Sequence, residues 1–279
     1  MAGISLQTNI ASLNAQRNTN RTSRGLQIGM QRLSSGFRIN SAQDDAAGLG
    51  ISERLRAQIR GLRQASRNAN DGLSVVQTAE GVMGEVSDVL IRMRELTVQA
   101  ASDSVTTTER GYINAEFVQL KDEINRLVKS TKFNGQVLLD GTFSSKDFQI
   151  GFDKGTAADS IIQVTIGAVT GTGLGINSSN ALTDTKTNAQ TSMTKLDAAL
   201  DTMNSSRATL GAKGNRLLSA VQAVSVTVES LSAANSRIRD ADIAAETSNF
   251  SKSQVLLQAG VSMLSQANAQ PQLALRLLG

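Results

Sequence analysis

The chain has 279 residues, of which 40% are hydrophobic, 19% are charged and only 3% are aromatic. It contains no His and no Cys, which excludes histidine bases, thiol nucleophiles, disulfides and zinc fingers from its chemistry. The 28 basic and 24 acidic residues leave a net charge of +4, a mild excess spread over a long chain. So few aromatic side chains do not build the core of an ordinary enzyme of this length, and the single proline, Pro271, leaves helices almost uninterrupted.

Residues 1–35 carry two short apolar stripes separated by a polar stretch rich in Asn and Arg. The stripe residues are Leu6, Ile10, Leu13, Leu26, Met30 and Leu33. Such a helix is marginal by itself, so we predict that a partner helix completes it. The segment lacks the continuous apolar run of a secretory signal, so we expect a protein that either is soluble or leaves the cell by a route that reads another signal. No run approaches the length of a membrane span, which predicts no membrane insertion.

Residues 36–48 combine two glycines with an acidic pair, Asp44-Asp45, ahead of a long helical pattern. Their spacing matches neither a phosphate-binding loop nor a calcium-binding loop. Ser41 and Asp44 are typical of helix N-caps, and Gly36 is typical of a helix end. We therefore predict a structural joint in which Ser41 and Asp44 begin the next helix.

A heptad of apolar residues runs through 45–100 and predicts a long helix with a coiled-coil seam. Its bulky seam residues include Leu55, Leu62, Val76, Met83 and Leu90. The same helix carries a basic run that consists of Arg54, Arg56, Arg60, Arg63 and Arg67. This run has no interleaved aromatic residues, and acidic residues bracket it, which favours a solvated face or salt bridges between subunits over nucleic-acid binding.

A shorter helix is predicted over 107–130, because Thr106 and Glu109 form a capping box ahead of an apolar stripe. The stripe residues are Ile113, Phe117, Leu120, Ile124 and Leu127. The pair Asn134-Gly135 follows and is typical of a tight turn.

Three segments without a helical pattern separate this helix from the C-terminal third of the chain. Apolar residues alternate with polar residues or Gly over 148–152 and again over 162–166, which predicts two strands. Residues 167–192 are rich in Gly, Thr, Ser, Asn and Ala, which predicts a surface loop.

The heptad pattern returns in the C-terminal third and predicts a second long helix over 186–232. Its seam includes Leu196, Met203, Leu210, Leu217 and Val224. A final stripe at spacing seven contains Ile243, Phe250, Leu257, Leu264 and Leu278. Pro271 falls on the same line, where it kinks the helix or marks its last turns.

These elements predict a mainly α fold, a long antiparallel helical bundle or coiled coil built from both chain ends, with a small central insert that contains a β-hairpin. The predicted domains are an N-terminal helix with a joint (1–40), the N-terminal part of the helical rod (41–130), the insert (131–185), the C-terminal part of the rod (186–235) and a C-terminal joint with a helix (236–279). A chain with amphipathic arms and little core of its own is expected to be an assembly subunit.

Several sequence blocks, in this order, resemble those of bacterial flagellin. They are NIASLNAQ at 9–16, LSSGFRINSAQDDAAGL at 33–49, RMREL at 92–96, FNG at 133–135, GAKGNRL at 211–217, IRDAD at 238–242 and ANAQPQ at 267–272. Each block is weak alone, but together they cover nearly the whole chain and are highly specific.

The resemblance implies a structural subunit, without enzymatic activity or cofactor, that polymerises into the flagellar filament for swimming motility. The terminal stripes would form the inner tube of the filament, and the heptad arms would form the next shell outward. The spoke between these shells would contain Gly36, Arg38, Asp44, Asp45, Gly48, Asp240 and Asp242. The central region is short for a flagellin and leaves room only for a hairpin and loop.

The resemblance also implies partners and a location. The subunit would leave the cell unfolded through the flagellar export channel, with the help of an export chaperone and the export apparatus, and join the extracellular filament between hook-junction and cap proteins. A host Toll-like receptor would contact Arg92, Leu96 and Glu116, although Ile91 stands where strongly recognised members have Gln. Two alternatives stay open, a hook–filament junction protein with related helical ends and an Arg-rich nucleic-acid binder.

Overall fold

The computed structural model describes residues 8–153, 160–176 and 183–278, with side chains described as far as residue 269. The helices are α1 (Ile10–Ser35), α2 (Ala46–Ala101), α3 (Thr107–Ser130), α4 (Lys186–Arg239) and α5 (Ile243–Leu278). The strands are β1 (Lys132–Phe133), β2 (Gln136–Val137), β3 (Lys146–Gln149) and β4 (Ile161–Val164). The predicted fold class, mainly α with a small β-containing insert, is confirmed.

Local sequence signals account for several helix ends. The Asn9 side chain accepts a hydrogen bond from the Ser12 N–H at 3.0 Å and caps α1. Gly36 follows the last turn of α1 with φ of 74°, the left-handed conformation that glycine adopts without a steric cost. The capping box predicted at the start of α3 is present, because the side chains of Thr106 and Glu109 each bond the other residue's backbone N–H.

Two compact units make up the chain. Unit 1 comprises residues 1–57 and 230–279, and unit 2 comprises residues 58–229. Unit 1 contains α1, the first part of α2, the last part of α4, and α5; unit 2 contains the remainder of α2 and α4, together with α3 and the strands. The five domains predicted from the sequence, with limits at 40, 130, 185 and 235, follow the predicted changes of element and stay a prediction.

Within unit 2, α2 and α4 run antiparallel. Arg94 Nε and Asp197 Oδ1 lie 2.6 Å apart at one level, and Val76 packs against Gly214 at another. The core between the helices is apolar and almost free of aromatic residues, as the composition suggests. Its fully buried members include Ala79, Met83, Leu90, Met93, Phe117, Ile124, Leu196 and Met203.

The strands form two separate antiparallel pairs. In the first, Phe133 pairs with Gln136 across a two-residue turn in which Asn134 and Gly135 have φ of 47° and 80°. Positive φ at both central residues is typical of the type I′ turn that Asn-Gly favours. In the second pair, β3 and β4 align residues 146–149 with residues 161–164.

The second hairpin lies against α2 at two glycines three helical turns apart. A side chain at Gly72 would place its Cβ 3.0 Å from the Phe148 ring, and one at Gly61 would lie 3.0 Å from Phe152 Cβ. Between them, Asn68 Nδ2 donates to the Gln149 carbonyl oxygen at 3.1 Å. The two glycines thus provide the space that lets this part of the chain approach the helix closely.

The predicted surface loop over 167–192 is wrong for the residues that the structure describes there. Val169, Leu174 and Ile176 are buried in the core of unit 2, and α4 already begins at Lys186. The Val169 N–H donates to the Leu139 carbonyl at 2.8 Å. Apolar residues this far apart among Gly and Thr have no regular period, so the sequence pattern gave no sign of their burial.

Candidate assembly surfaces

Unit 1 is organised around the antiparallel pairing of α1 with α5. Asn9 Nδ2 donates to the Ala267 carbonyl at 2.8 Å near one end, and Arg32 pairs with Glu246 at 3.8 Å near the other. The half-buried or buried positions recur every three or four residues, as in a coiled coil. Apart from Ser23, Arg32 and Glu246, we call them the terminal seam: Ser12, Ala15, Thr19, Thr22, Leu26, Gly29 and Leu33 on α1, and Phe250, Ser253, Leu257, Gly260, Leu264 and Ala267 on α5.

The terminal seam consists largely of small and polar side chains, so the two helices approach closely. A Cβ at Gly260 would lie 2.9 Å from Thr19 Oγ1. A Cβ at Gly29 would be in contact with Phe250 at 3.6 Å. The small and polar residues bury little apolar surface, so the hydrophobic free energy of the pairing comes mainly from the half-buried Leu26, Leu33, Phe250, Leu257 and Leu264.

The residues of the predicted terminal stripes separate into two groups. Leu26, Leu33, Phe250, Leu257 and Leu264 are half-buried in the terminal seam. Ile10, Leu13, Met30 and Ile243 instead lie outside it, with 64, 50, 54 and 51% of their surfaces exposed. Leu6 lies outside the described residues, as does the side chain of Leu278.

Further exposed apolar residues on α5 escaped the sequence analysis. Val255, Leu256, Val261 and Met263 are each more than half exposed. They do not lie on the line of sevens through Phe250 and were therefore not assigned to a stripe. Leu256 and Met263 share one side of α5, whereas Val261 lies on a different side, so the four residues do not form a second stripe that a periodicity argument would detect. We call the exposed residues Ile10, Leu13, Val255, Leu256, Val261 and Met263 the terminal apolar surface.

A groove of about 400 Å³ runs between α1 and α5 beside the terminal seam. Its α1 wall is formed by small or polar residues, among them Ala11, Ala15 and Asn18, and its α5 wall includes Leu256 and Met263. By helical spacing, Ile10 and Leu13 point away from this groove. Unit 1 therefore presents a concave surface and, on different residues, protruding apolar side chains.

The predicted joint is a crossing of two chain segments that lie far apart in the sequence. Phe37 pairs with Asp240 as an isolated antiparallel bridge, and the Arg38 N–H donates to the Arg239 carbonyl at 2.6 Å. The Arg239 guanidinium lies 4.7 Å from the centre of the Phe37 ring, a cation–π distance, and 2.5 Å from Glu53 Oε1. Arg239 thereby connects α4 to both the crossing segment and α2.

The acidic residues of the joint act on the backbone. Asp45 Oδ1 accepts from the Gly48 N–H at 2.8 Å and caps α2, the role that the sequence assigned to Ser41 and Asp44. Asp44 Oδ2 instead accepts from the N–H groups of Asn40 and Ser41, which close the preceding turn. These backbone hydrogen bonds lower the pKa of Asp44 below its ordinary value. The assignment of the cap was therefore wrong by one residue.

The other joint residues also have backbone roles. Asp242 caps α5, because its Oδ1 accepts from the N–H groups of Ala244 and Ala245. Arg38 donates from its guanidinium to the Ile238 carbonyl at 2.8 Å. Among the described residues, no group of His, Cys, Asp or Glu is placed to hold a metal ion.

The predicted rod-seam residues are almost all buried. Leu62, Val76, Met83, Leu90, Leu196, Met203, Leu210, Leu217 and Val224 are buried, and Leu55 is half-buried. In the basic run of α2, Arg56 pairs with Glu53 at 2.6 Å, and Arg67 bonds Gln64. These contacts within one helix are those of a solvated face.

The three residues expected to contact a receptor have different environments. Arg92 lies on the surface between Glu95 at 3.0 Å and Glu116 at 2.9 Å. Leu96 is only 2% exposed and packs in the core of unit 2, so its side chain does not fit the expected surface contact. The exposed apolar residues of this helix face are Ile91 and Val98, one heptad apart.

A large part of α4 is also apolar and uncovered. Over an 18-residue window its mean hydropathy reaches 1.4, with 6% of the window buried, so by length and composition alone it would pass as a membrane span. Leu218 and Val226 are 46 and 64% exposed. Exposed apolar surface of this extent is typical of a surface that another protein or a membrane covers.

Comparisons with known proteins agree with the sequence resemblance. Family models of the bacterial flagellin N-terminal and C-terminal helical regions match residues 6–144 and 193–278. The flagellin of Halalkalibacterium halodurans is 44% identical over 271 residues, covering 97% of this chain and 98% of its own. The flagellar filament 33 kDa core protein of Treponema phagedenis is 41% identical over 280 residues, covering 97% and 98%.

A solved structure of a suggested flagellar hook-associated protein from Vibrio parahaemolyticus is similar in fold. Its TM-score is 0.60 at 17% sequence identity, and the match covers 71% of this chain and 100% of that one. At such low identity the likeness concerns the fold alone. The two family models and the near-complete matches at 41 and 44% identity are decisive, and the chain belongs to the bacterial flagellin family.

Proposed function

We propose that this chain is a structural subunit of the extracellular bacterial flagellar filament and that copies of it polymerise through the surfaces of unit 1. The observation that carries the proposal is the terminal apolar surface, since the pairing of α1 with α5 leaves Ile10, Leu13 and Val255 at least half exposed. Burying one such side chain is favourable by about 1.5–3 kcal/mol. Association with neighbouring copies supplies free energy that pairing within the subunit does not.

The arrangement of unit 1 favours an open polymer over a closed dimer. The groove lined by Ala11, Ala15 and Asn18 and the protruding side chains of Ile10 and Leu13 are different surfaces of one helix. A contact between two different surfaces is heterologous, and repeated heterologous contacts generate rings or helical filaments.

Substitutions on the terminal apolar surface test the proposal. Leu13→Asp or Val255→Asp should abolish growth of filaments from short seeds, because each variant would bury a charge between subunits. Gln16→Asp is the matched control on α1, since Gln16 is exposed and polar, and it should polymerise normally. Negative-stain electron microscopy and sedimentation measure polymer, and circular dichroism compares the monomers. Normal filaments from Leu13→Asp and Val255→Asp would overturn the proposed surface.

Leu264→Asp should prevent polymerisation by disturbing the fold of the subunit itself. Leu264 is half-buried in the terminal seam, so a carboxylate there opposes the pairing of α1 with α5. We expect this variant also to fail to polymerise, through loss of the unit 1 fold and not through a direct contact between subunits.

The second candidate is a hook–filament junction protein. The fold likeness to the Vibrio parahaemolyticus structure is the observation in its favour, but it is a likeness of fold only. The chain is 44% identical to a flagellin over almost its whole length, which favours the filament subunit. Long filaments grown from the purified chain alone distinguish the two, because a junction protein would not extend a homopolymer.

The proposed subunit is exported unfolded and has flagellar partners, namely an export chaperone, the export apparatus, the hook-junction proteins and the filament cap. A host Toll-like receptor is a further proposed partner, through the exposed Arg92 and Glu116. Leu96 would support that surface from beneath, since it is buried. Receptor-reporter activation by the monomer, compared with an Arg92→Ala variant, tests this contact.

A further inference from the structure

The turn between β1 and β2 contains an Asn-Gly pair that is exposed to solvent and makes few contacts. Asn134 and Gly135 are both exposed, and nothing lies within 4 Å of the position where a Gly135 side chain would begin. Among the described residues, neither the Asn134 side chain nor the Gly135 N–H has a hydrogen-bond partner. The side-chain amide of Asn134 and the backbone nitrogen of Gly135 are therefore both accessible to water and not held in hydrogen bonds by other described residues.

We propose that Asn134 is a site of spontaneous deamidation that converts it to aspartate and isoaspartate in the folded protein. The backbone nitrogen of Gly135 loses its proton and attacks Cγ of Asn134, forming a new C–N bond. The side-chain nitrogen leaves as ammonia, which gives a five-membered succinimide. Water then adds to one of the two ring carbonyls, and opening of the ring leaves either aspartate or isoaspartate.

Glycine at position 135 matters for the first step. With no Cβ, the nitrogen of Gly135 approaches the amide carbon without the steric hindrance that any other residue would add. The open space around Gly135 also admits the tetrahedral intermediate and the attacking water.

Two Asp-Gly pairs of the chain could form the same succinimide, but their surroundings in the folded protein oppose the reaction. Asp71-Gly72 lies in the interior of α2, where the helix engages the Gly72 N–H and Gly72 packs on Phe148. At Asp140-Gly141, Asp140 Oδ1 accepts from the N–H and the hydroxyl of Thr142 at 2.9 and 2.6 Å. These bonds lower the pKa of Asp140, so its protonated form, the better electrophile, is rarer in the folded chain than in the unfolded one.

The pair Asn40-Ser41 in the joint is protected in a third way. The Ser41 N–H, which would be the nucleophile, donates to Asp44 Oδ2 at 2.9 Å. The Asn40 side chain donates to the Phe37 carbonyl at 3.0 Å. Both reacting groups are therefore held in other hydrogen bonds, so Asn40 should react far more slowly than Asn134.

Conversion at Asn134 would alter the hairpin locally. Isoaspartate adds a methylene group to the main chain of a two-residue turn, which cannot be accommodated while Phe133 stays paired with Gln136. The strand that follows leads directly to Leu138 and Leu139, both fully buried. We expect increased hydrogen exchange at Leu138, whose N–H donates to the Thr131 carbonyl at 3.2 Å.

The test is ageing of the full-length chain in mildly alkaline buffer, folded in one sample and unfolded in urea in another. Cleavage after Lys132 and Lys146 releases one peptide that contains both Asn134-Gly135 and Asp140-Gly141. Mass spectrometry detects the replacement of NH by O at Asn134, and methylation by a protein-isoaspartate methyltransferase detects isoaspartate. Asn134→Gln is the control that removes the site.

In the folded sample we expect Asn134 to convert, mostly to isoaspartate, while Asn40, Asp71 and Asp140 stay unchanged. In urea all four should react, because the protecting hydrogen bonds are gone. Gly135→Ala should slow the reaction in both samples. The proposal is overturned if Asn134 stays intact in the folded chain while it reacts in urea, or if it converts no faster than Asn40 when folded.

Discussion

Gly48 lies in the first turns of α2 with no room for a side chain. A Cβ there would lie 2.4 Å from Asp45 Oδ2 and 2.8 Å from Ile39 Cδ1, so it would displace the residue that caps the helix. Gly48→Ala should therefore destabilise unit 1 by about 1–3 kcal/mol. Denaturant unfolding followed by circular dichroism measures the change.

Gly50 provides the matched control in the same turn of α2. Nothing lies within 4 Å of a Cβ built at Gly50, so Gly50→Ala should stabilise the helix by about 0.5–1 kcal/mol. Equal effects of the two substitutions would contradict the packing described around Gly48.

The ion pairs of Glu53 make the joint sensitive to acid. Arg239 and, to a lesser degree, Arg56 lower the pKa of Glu53 below its ordinary value. A carboxyl group with a lowered pKa stabilises the fold above its unfolded-state pKa, and this contribution disappears as the pH falls through the folded-state value. Glu53→Gln should thus weaken unit 1 near neutral pH, and the difference from the wild type should shrink on acidification. Thermal unfolding at a series of pH values measures it; a constant difference would refute the role of the pair.

Single residues in the joint also mark where sequence reasoning reached its limit. The acidic pair was recognised as a helix start, but which carboxylate caps α2 depends on where the turn of residues 40–44 closes. That turn is fixed by hydrogen bonds from Asn40 and Ser41 to Asp44, and several closures suit the same residue types. Propensity therefore predicted the cap only to within one residue.

At the scale of elements, the glycines of α2 determine how the β3–β4 hairpin is held. Gly72→Ala would bring its Cβ 3.0 Å from the Phe148 ring and should destabilise unit 2 by about 1–3 kcal/mol. Gly81→Ala has nothing within 4 Å and should stabilise α2 by about 0.5–1 kcal/mol. Urea unfolding of both variants measures the contrast, and a stabilising Gly72→Ala would show that the ring moves aside without cost.

Helices were predictable because their period is regular over many turns. The helices predicted over 45–100 and 107–130 are observed as Ala46–Ala101 and Thr107–Ser130. The segment with Val169 and Ile176 was not predictable, since each buries its side chain by an individual contact. The small and polar part of the terminal seam was missed for a related reason, because Ser12, Ala15 and Thr19 carry no hydrophobic signal.

At the scale of the whole molecule, the two units should respond differently to truncation. Deleting residues 241–279 removes α5, the partner of α1, but leaves every residue of unit 2 in place. We expect a largely helical monomer that does not polymerise and whose unit 2 unfolds as in the full-length chain. Hydrogen exchange of residues 58–229 and seeded polymerisation measure the two effects. Normal filaments from the truncated chain would contradict the assembly proposal.

The crossing at Phe37 and Asp240 makes most of the chain a closed loop. The hydrogen bond from Arg38 to Ile238 joins residues 200 positions apart. Closing a flexible loop of that length costs about 5 kcal/mol in chain entropy, so an unfolded chain forms this contact last. During refolding, unit 2 should become compact before α1 pairs with α5. The two chain ends are thus the slowest part of the subunit to acquire structure and the first to lose it, and φ-values at the joint should be close to zero.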